Sequence, residues 1–184
     1  MFDFTEFPRI ETERLVLREI VPKDVSALFR IRGDYEVTKY NTGKAYENME
    51  QAAKLIDGIS EGYAYKREIR WGIALKTHDQ MIGMCGYNYW DRTDQRGSIG
   101  YDLAQVYWGK GFMPEALRAI IRFGFTEMGL NRIEADASVY NEASIKVLKK
   151  LAFTEEGIQR EQYFEDGSFH DLVLFALLKK EFET

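Results

Sequence analysis

The chain has 184 residues, of which 45% are hydrophobic and 30% charged, and its formal net charge is −5. This length and composition are typical of a single domain spanning residues 1–184, and the negative balance disfavours a general role in nucleic-acid binding. No apolar run is long enough to span a bilayer, and the first residues lack the pattern of a signal peptide. We therefore expect a cytoplasmic protein without nucleic-acid or membrane partners.

The residues that most often bind metals are few and scattered. Cys85 is the only cysteine and lies in an apolar segment, so we expect a buried side chain and no internal disulfide. His78 and His170 lack metal-ligand spacing to each other or to the cysteine. The sequence therefore predicts no metal site.

Hydrophobic spacing and turn residues predict seven strands and four helices. The predicted strands are residues 14–20, 70–76, 81–89, 97–103, 132–138, 157–164 and 171–178, with polar turns at 77–80, 92–95 and 165–167. The predicted helices are residues 22–32, 48–63, the amphipathic segment between Gly111 and Gly129, and residues 141–151.

The resulting order is β-α-α-β-β-β-α-β-α-β-β. Strands and helices do not alternate regularly, so a doubly wound nucleotide-binding fold is disfavoured. A single mixed, mostly antiparallel sheet with helices on both faces fits this order better.

The segment Trp108–Leu117, with sequence WGKGFMPEAL, places two glycines directly before the clearest helix. Such a turn presents free backbone amides at a helix N-terminus, which is a site for phosphate. A Walker loop is excluded because Gly111, not Ser or Thr, follows Lys110. A dinucleotide fingerprint is excluded because Pro114 stands where the third glycine is needed. A tight strand-to-helix turn without a ligand is the alternative interpretation.

Several further segments accompany this turn in a fixed order. They are residues 98–103 (SIGYDL), 132–135 (RIEA), 141–144 (NEAS) and 151–153 (LAF). Together they resemble the GNAT acyltransferase superfamily, and within it the RimJ/RimL-like branch that acetylates N-terminal amines of ribosomal proteins. The resemblance extends over nearly the whole chain.

This resemblance implies an α/β (α+β) GNAT fold in which the fourth and fifth predicted strands splay apart. It also implies acetyl-CoA as donor, with the pantetheine arm in the gap and paired to the backbone of Leu103. Asn141 would cap its helix and also bind the pantetheine. The remaining residues implied at the donor site are Trp108, Gly109, Lys110, Gly111, Phe112, Met113 and Ser144.

Direct transfer of an acetyl group to an amine needs an acid for the leaving thiolate and a base for the ammonium. The resemblance implies Ser144 as the acid, because Leu148 replaces the tyrosine used by many superfamily members. A first-turn helix residue with only local hydrogen bonds is the alternative for Ser144. Glu161 is the first candidate for the base, followed by Glu165 and Glu68, although each would also suit a solvated surface.

Some positions depart from the family pattern without removing the donor site. They are Val106, the pair Met113 and Pro114, and Ala152, which replaces a glycine and strains its turn if φ is positive there. Tyr87, Tyr89 and Trp90 are expected to pack in the core or at the lip of an acceptor pocket.

The acceptor is the least determined part of the sequence. A protein N-terminal amine is the leading class, and a polyamine, amino acid or aminoglycoside is the alternative. A CoA-binding sensor without turnover is the rival from another class. Dimers are common in the resembling branch, so a homodimer is compatible with the sequence.

Overall fold

The computed structural model describes residues 2–41, 44–165 and 167–182, and these residues form one eight-stranded sheet. The strands are β1 (Ile10–Glu11), β2 (Leu15–Arg18), β3 (Ile69–Leu75), β4 (Met81–Asp91), β5 (Arg96–Leu103), β6 (Arg132–Ser138), β7 (Thr154–Glu165) and β8 (Ser168–Leu178).

The strand order is β1-β2-β3-β4-β5-β6-β8-β7, and every neighbouring pair is antiparallel except β5 and β6. The prediction of a mixed, mostly antiparallel sheet is therefore confirmed. The eighth strand is β1, whose two residues pair with Leu17 and Val16 of β2. Two residues are too few to show an alternating pattern, so the sequence did not predict this strand.

The helices are α1 (Val25–Arg32), α2 (Tyr35–Thr38), α3 (Met49–Ala64), α4 (Phe112–Thr126), α5 (Glu142–Lys150) and α6 (Lys179–Phe182). Three of the starts have local causes. Asn48 and Gln51 form a capping box before α3, Gly111 precedes α4 with φ +80°, and the Asn141 side chain caps α5. Across the described part of the chain, no helix has the length and apolar character needed to cross a membrane.

Helices cover both faces of the sheet, as predicted, and divide the core in two. On one face, α4 and α5 bury Leu117, Ile120 and Leu148 against side chains such as Trp71 of β3. On the opposite face, α1 and α3 pack on a smaller cluster that includes Met84 of β4. Neighbouring strand residues point to opposite faces, so the two clusters separate the sides on which site residues lie.

The last two strands form a hairpin longer than predicted. β7 begins at Thr154 rather than 157, and β8 begins at Ser168 rather than 171. The predicted turn at 165–167 includes Asp166, which lies outside the described residues. β8 pairs with β6 only from Leu172 onward, so residues before it pair with β7 alone. Most of β7 is exposed, and an exposed strand has no apolar alternation from which to read its ends.

Candidate functional site

A gap opens between β5 and β6, the fourth and fifth predicted strands. Their parallel pairing covers only Arg96 to Ser98 on one side and Arg132 to Glu134 on the other. The Ala104 amide donates to β4, and strand backbone groups alternate in direction, so the Tyr101 and Leu103 amides point into the gap. The splay implied by the family resemblance is therefore present, and its wall offers backbone donors.

The glycine turn lies directly beyond the end of β5. Gly109 and Gly111 adopt left-handed conformations with φ of +73° and +80°, which a residue with a Cβ adopts only with strain. Amides in residues 109–113 donate no hydrogen bond to another described residue. The space at the Cβ position of Gly109 is open to 4 Å. Five unpartnered amides in a glycine turn at a helix N-terminus fit the pyrophosphate of CoA.

Contacts with the turn between β1 and β2 hold the glycine turn in place. The Glu115 carboxylate, in the first turn of α4, accepts from the Arg14 amide at 2.8 Å and from the Thr12 hydroxyl at 2.6 Å. The Arg14 guanidinium pairs with Glu115 at 2.7 Å, donates to the Lys110 carbonyl at 3.0 Å and lies over the Phe112 ring at 4.4 Å. Burial opposes ionisation of Glu115, but the Thr12 and Arg14 hydrogen bonds outweigh it and lower the Glu115 pKa. The turn is thus fixed before any ligand binds.

Two other features border the turn. The Trp108 indole donates to the Leu103 carbonyl at 2.7 Å, which leaves the Leu103 amide as the free backbone group on that residue facing the gap. An open depression of about 550 Å³ lies beside Gly111, and Arg118 and Arg122 contribute to its lining. The four cations in the lining exceed the three carboxylates by one, so this region has a small positive excess that favours an anion.

The N-terminus of α5 brings Asn141 and Ser144 to the gap. The Asn141 side chain accepts from the Ser144 amide at 3.1 Å, as a helix cap does. The Ser144 Oγ lies 2.6 Å from the Tyr101 Oη on β5. Burial raises the pKa of Tyr101 to about 12, so this phenol stays protonated at neutral pH. Leu148 is fully buried and has no proton to give.

The candidate base Glu161 lies in an irregular part of β7. The pairing with β8 shifts between Gln159 and Tyr163, and Glu161 has a φ of +52°, a rare value for a residue with a side chain. Its amide donates to the Asp171 carboxylate at 2.8 Å, and the Asp171 carbonyl accepts from the Val139 amide at 3.2 Å. Val139 lies two residues before the cap of α5, so this chain of contacts connects Glu161 to the start of that helix.

The other two residues proposed from sequence make local contacts, Glu68 through its carboxylate and Glu165 through its backbone carbonyl. Glu68 pairs with Arg70 at 2.7 Å at the start of β3, which is two strands away from β5 and the gap. Glu165 pairs across the hairpin with Ser168, whose hydroxyl donates to its carbonyl. Neither contact brings these residues to α5. Among the three candidate residues, Glu161 alone is connected to the start of α5 by the contacts described above, and that connection runs through its backbone amide.

Sequence reasoning missed Asp136 of β6. It follows Ala135, which faces α4 and α5, so Asp136 points to the opposite face. It lies in the part of β6 beyond its pairing with β5, and among the described residues its carboxylate has no hydrogen bond or ion pair. Desolvation raises the pKa of this carboxyl. In the sequence it resembles any polar strand residue, so no signal distinguished it.

A buried ion pair lies on the same face of the sheet as Asp136. Arg32, at the end of α1, pairs with Asp102 of β5 at 2.6 Å, and both side chains are more than 90% buried. The Asn41 amide also donates to the Asp102 carboxylate. These contacts tie the connection after α1 to the strand that lines the gap.

The remaining sequence candidates are structural. Tyr87 is buried and donates to the Ile120 carbonyl at 2.9 Å, Trp90 stacks on Phe4, and Tyr89 is exposed and donates to Asp91. Cys85 is buried, which raises the pKa of its thiol. No cluster of metal-ligating side chains occurs in residues 2–41, 44–165 and 167–182.

Comparisons with known proteins identify related sequences and folds. A family model described as an acetyltransferase (GNAT) domain matches residues 14–154. An uncharacterized N-acetyltransferase of Bacillus licheniformis is 40% identical over 171 residues, covering 93% of this chain and 96% of the relative. The ribosomal protein uS5-alanine N-acetyltransferase of Escherichia coli is 28% identical, covering 92% of this chain and 90% of the enzyme. Mycobacterium smegmatis RimJ in complex with CoA-disulfide has a similar fold, with a TM-score of 0.84 at 24% identity, over 92% of this chain and 84% of that one.

Proposed function

The chain belongs to the GNAT acetyltransferase family, and we propose that it transfers an acetyl group from acetyl-CoA directly to the N-terminal amine of a protein. N-acetyltransferases, including one named for ribosomal protein uS5, are among its relatives. The observation that carries the proposal is the row of unpartnered amides at the start of α4, beside a gap in the sheet lined by further amides.

The amides in residues 109–113 would hold the pyrophosphate, with Lys110 and the nearby arginines adding attraction. The Leu103 amide would pair with the pantetheine arm in the gap, and Asn141 would add a side-chain contact from the start of α5. When bound, acetyl-CoA supplies an activated acetyl group as a thioester. The chain's task is then to align this thioester with an amine and to move protons.

No nucleophile on the protein is required, because the amine attacks the thioester carbonyl itself. A backbone amide in the gap would stabilise the oxyanion that forms. Ser144 would donate a hydrogen bond to the departing thiolate. Glu161 would accept the proton of the acceptor ammonium, directly or through water. The carboxylate of Asp136, on the face opposite α4 and α5, favours a cationic acceptor and is the second candidate for this proton.

An acceptor screen tests the proposal. Purified protein is mixed with acetyl-CoA and with peptides that begin with a free alanine amine, polyamines or aminoglycosides, and thiol release is followed. We expect release with the free peptides, an added acetyl group at the N-terminal amine by mass spectrometry, and none with the same peptides already acetylated. Release with small amines alone would move the acceptor to that class. Binding of acetyl-CoA without thiol release from any acceptor would indicate a sensor.

A further inference from the structure

Tyr101 and Ser144 meet across the splayed part of the sheet although 43 positions separate them in sequence. Tyr101 belongs to β5 beyond the last residue paired with β6, and Ser144 belongs to the first turn of α5. Their hydroxyl oxygens are 2.6 Å apart, and either oxygen is able to donate. This contact has no part in capping α5, because the Asn141 side chain already fulfils that role through the Ser144 amide.

The Tyr101–Ser144 pair has one hydroxyl proton available for a hydrogen bond to a ligand. Two hydroxyl groups carry two protons, and one of them is used in the bond between the oxygens. If Tyr101 donates, the Ser144 proton is free to point away from the pair. Burial raises the pKa of Tyr101 to about 12 and outweighs the hydrogen bond with Ser144, which acts in the opposite direction, so the phenol keeps its proton.

We propose that Tyr101 is a positioning residue for Ser144: its phenol donates to the Ser144 Oγ and thereby directs the serine proton at the sulfur of bound CoA. This inference rests on the proposed function. In the transfer, the amine nitrogen bonds to the acetyl carbon to give the oxyanion, and its proton goes to Glu161. As the carbonyl re-forms, the carbon–sulfur bond breaks and its electron pair goes to sulfur. The Ser144 hydroxyl stabilises the resulting thiolate by a hydrogen bond, and Tyr101 loses no proton.

The Tyr101–Ser144 pair also supplies the hydroxyl donor that Leu148 of α5 lacks. Leu148 has no donor, and its side chain is fully buried in the core. Tyr101 reaches the same helix from the neighbouring strand and supplies a phenol by that route. A hydroxyl that already accepts one hydrogen bond is a stronger donor than an isolated one, because hydrogen bonds in a chain polarise one another.

The acidity of the CoA thiol on the protein tests this pair without any acceptor. CoA is titrated in complex with the wild type, Tyr101→Phe, Ser144→Ala and Tyr87→Phe, and the thiolate is followed by its ultraviolet absorbance. Desulfo-CoA complexes provide the blank that removes tyrosine ionisation. The buried Cys85 is the only cysteine, and burial raises its pKa, so the thiolate signal belongs to CoA. Tyr87→Phe is the matched control, because it also removes a buried tyrosine hydroxyl, but one that donates to the Ile120 carbonyl and not to Ser144.

We expect the pKa of the bound thiol to be about one pH unit lower in the wild type and in Tyr87→Phe than in the other two variants, as one hydrogen bond would give. In Ser144→Ala, adding Tyr101→Phe should change the pKa no further. An equal pKa in wild type and Tyr101→Phe would overturn the inference while leaving the proposed function intact. A further change in the double variant would show that Tyr101 acts independently of Ser144 and would also overturn it. Failure of the wild type to bind CoA would overturn both.

Discussion

Glu161 combines two properties that a substitution to glycine separates. Its backbone is in the left-handed region with φ +52°, and its side chain is the first candidate for the base. A residue with a Cβ adopts this conformation at a cost of about 1–2 kcal/mol, whereas glycine adopts it freely. Glu161→Gly should therefore stabilise the fold while it removes the carboxylate.

The size of the stabilisation follows from two opposing contributions. Relief of the left-handed strain favours the variant by about 1–2 kcal/mol, and the greater freedom of glycine in the unfolded chain opposes it by about 0.5–1 kcal/mol. The hydrogen bond from residue 161 to Asp171 uses the backbone amide and is kept. We expect a net gain of up to about 1.5 kcal/mol, or up to about 6 °C in melting temperature for a chain of this length.

Ala152 provides the matched control. Its φ is +64°, as expected if this turn needs the glycine that it replaces, and its amide donates to the Lys149 carbonyl. Ala152→Gly should give a similar rise in melting temperature by calorimetry and leave turnover unchanged. Glu161→Gly and Glu161→Gln should each lower turnover by roughly 100-fold or more, the usual contribution of a general base. Only the first of these two should raise the melting temperature.

Two results would refute this reasoning at different points. A fall in melting temperature for Glu161→Gly would mean that the side chain makes stabilising contacts that outweigh the backbone strain. Turnover at the wild-type level in both Glu161 variants would remove Glu161 as the base and leave Asp136 as the remaining candidate in the gap.

Three further expectations concern the donor site and the gap. Gly111→Glu should reduce CoA affinity at least 100-fold, because a carboxylate would enter the row of amides. Titration calorimetry measures the affinity, and an unchanged circular dichroism spectrum shows that the fold is kept. Unchanged affinity would mean that the pyrophosphate binds elsewhere. Glu115→Ala should lower the free energy of unfolding, measured by urea denaturation, by about 2 kcal/mol, because the charged hydrogen bonds from Arg14 and Thr12 are lost. An unchanged free energy would mean that other contacts hold the glycine turn. Asp136→Asn should stabilise the protein only slightly at pH 7, because partial desolvation raises the pKa of Asp136 and disfavours its ionised form, while its exposed surface keeps much of the charge solvated. That gain should disappear as the pH falls through about 3.9 and the carboxyl becomes neutral in both states; a gain that persists in acid would refute the electrostatic cause.

Sequence patterns predicted the parts of this structure that are set by local chemistry. The apolar spacing of α4, the cap of α5 and the glycines before α4 all depend on residues within a few positions of one another. The approach of Tyr101 to Ser144 depends on how β5 and α5 pack, which no local pattern encodes. At Glu161 the sequence has neither glycine nor asparagine, the residues that would predict a positive φ. Asp136 is distinguished only by where β5 and β6 part.

The short ladder between β5 and β6 also has a consequence for folding. Three residue pairs join β1–β5, an uninterrupted series of antiparallel neighbours, to the smaller unit of β6, β8 and β7. The sheet therefore has a seam, which is also crossed by the packing of α4 against α5 and by the contact between Tyr101 and Ser144. Units joined by so few hydrogen bonds open separately in native-state hydrogen exchange. A ligand lying in the seam would bridge the two units by hydrogen bonds, as a strand between them would. We therefore expect the amides of both units to exchange together when the ligand is bound.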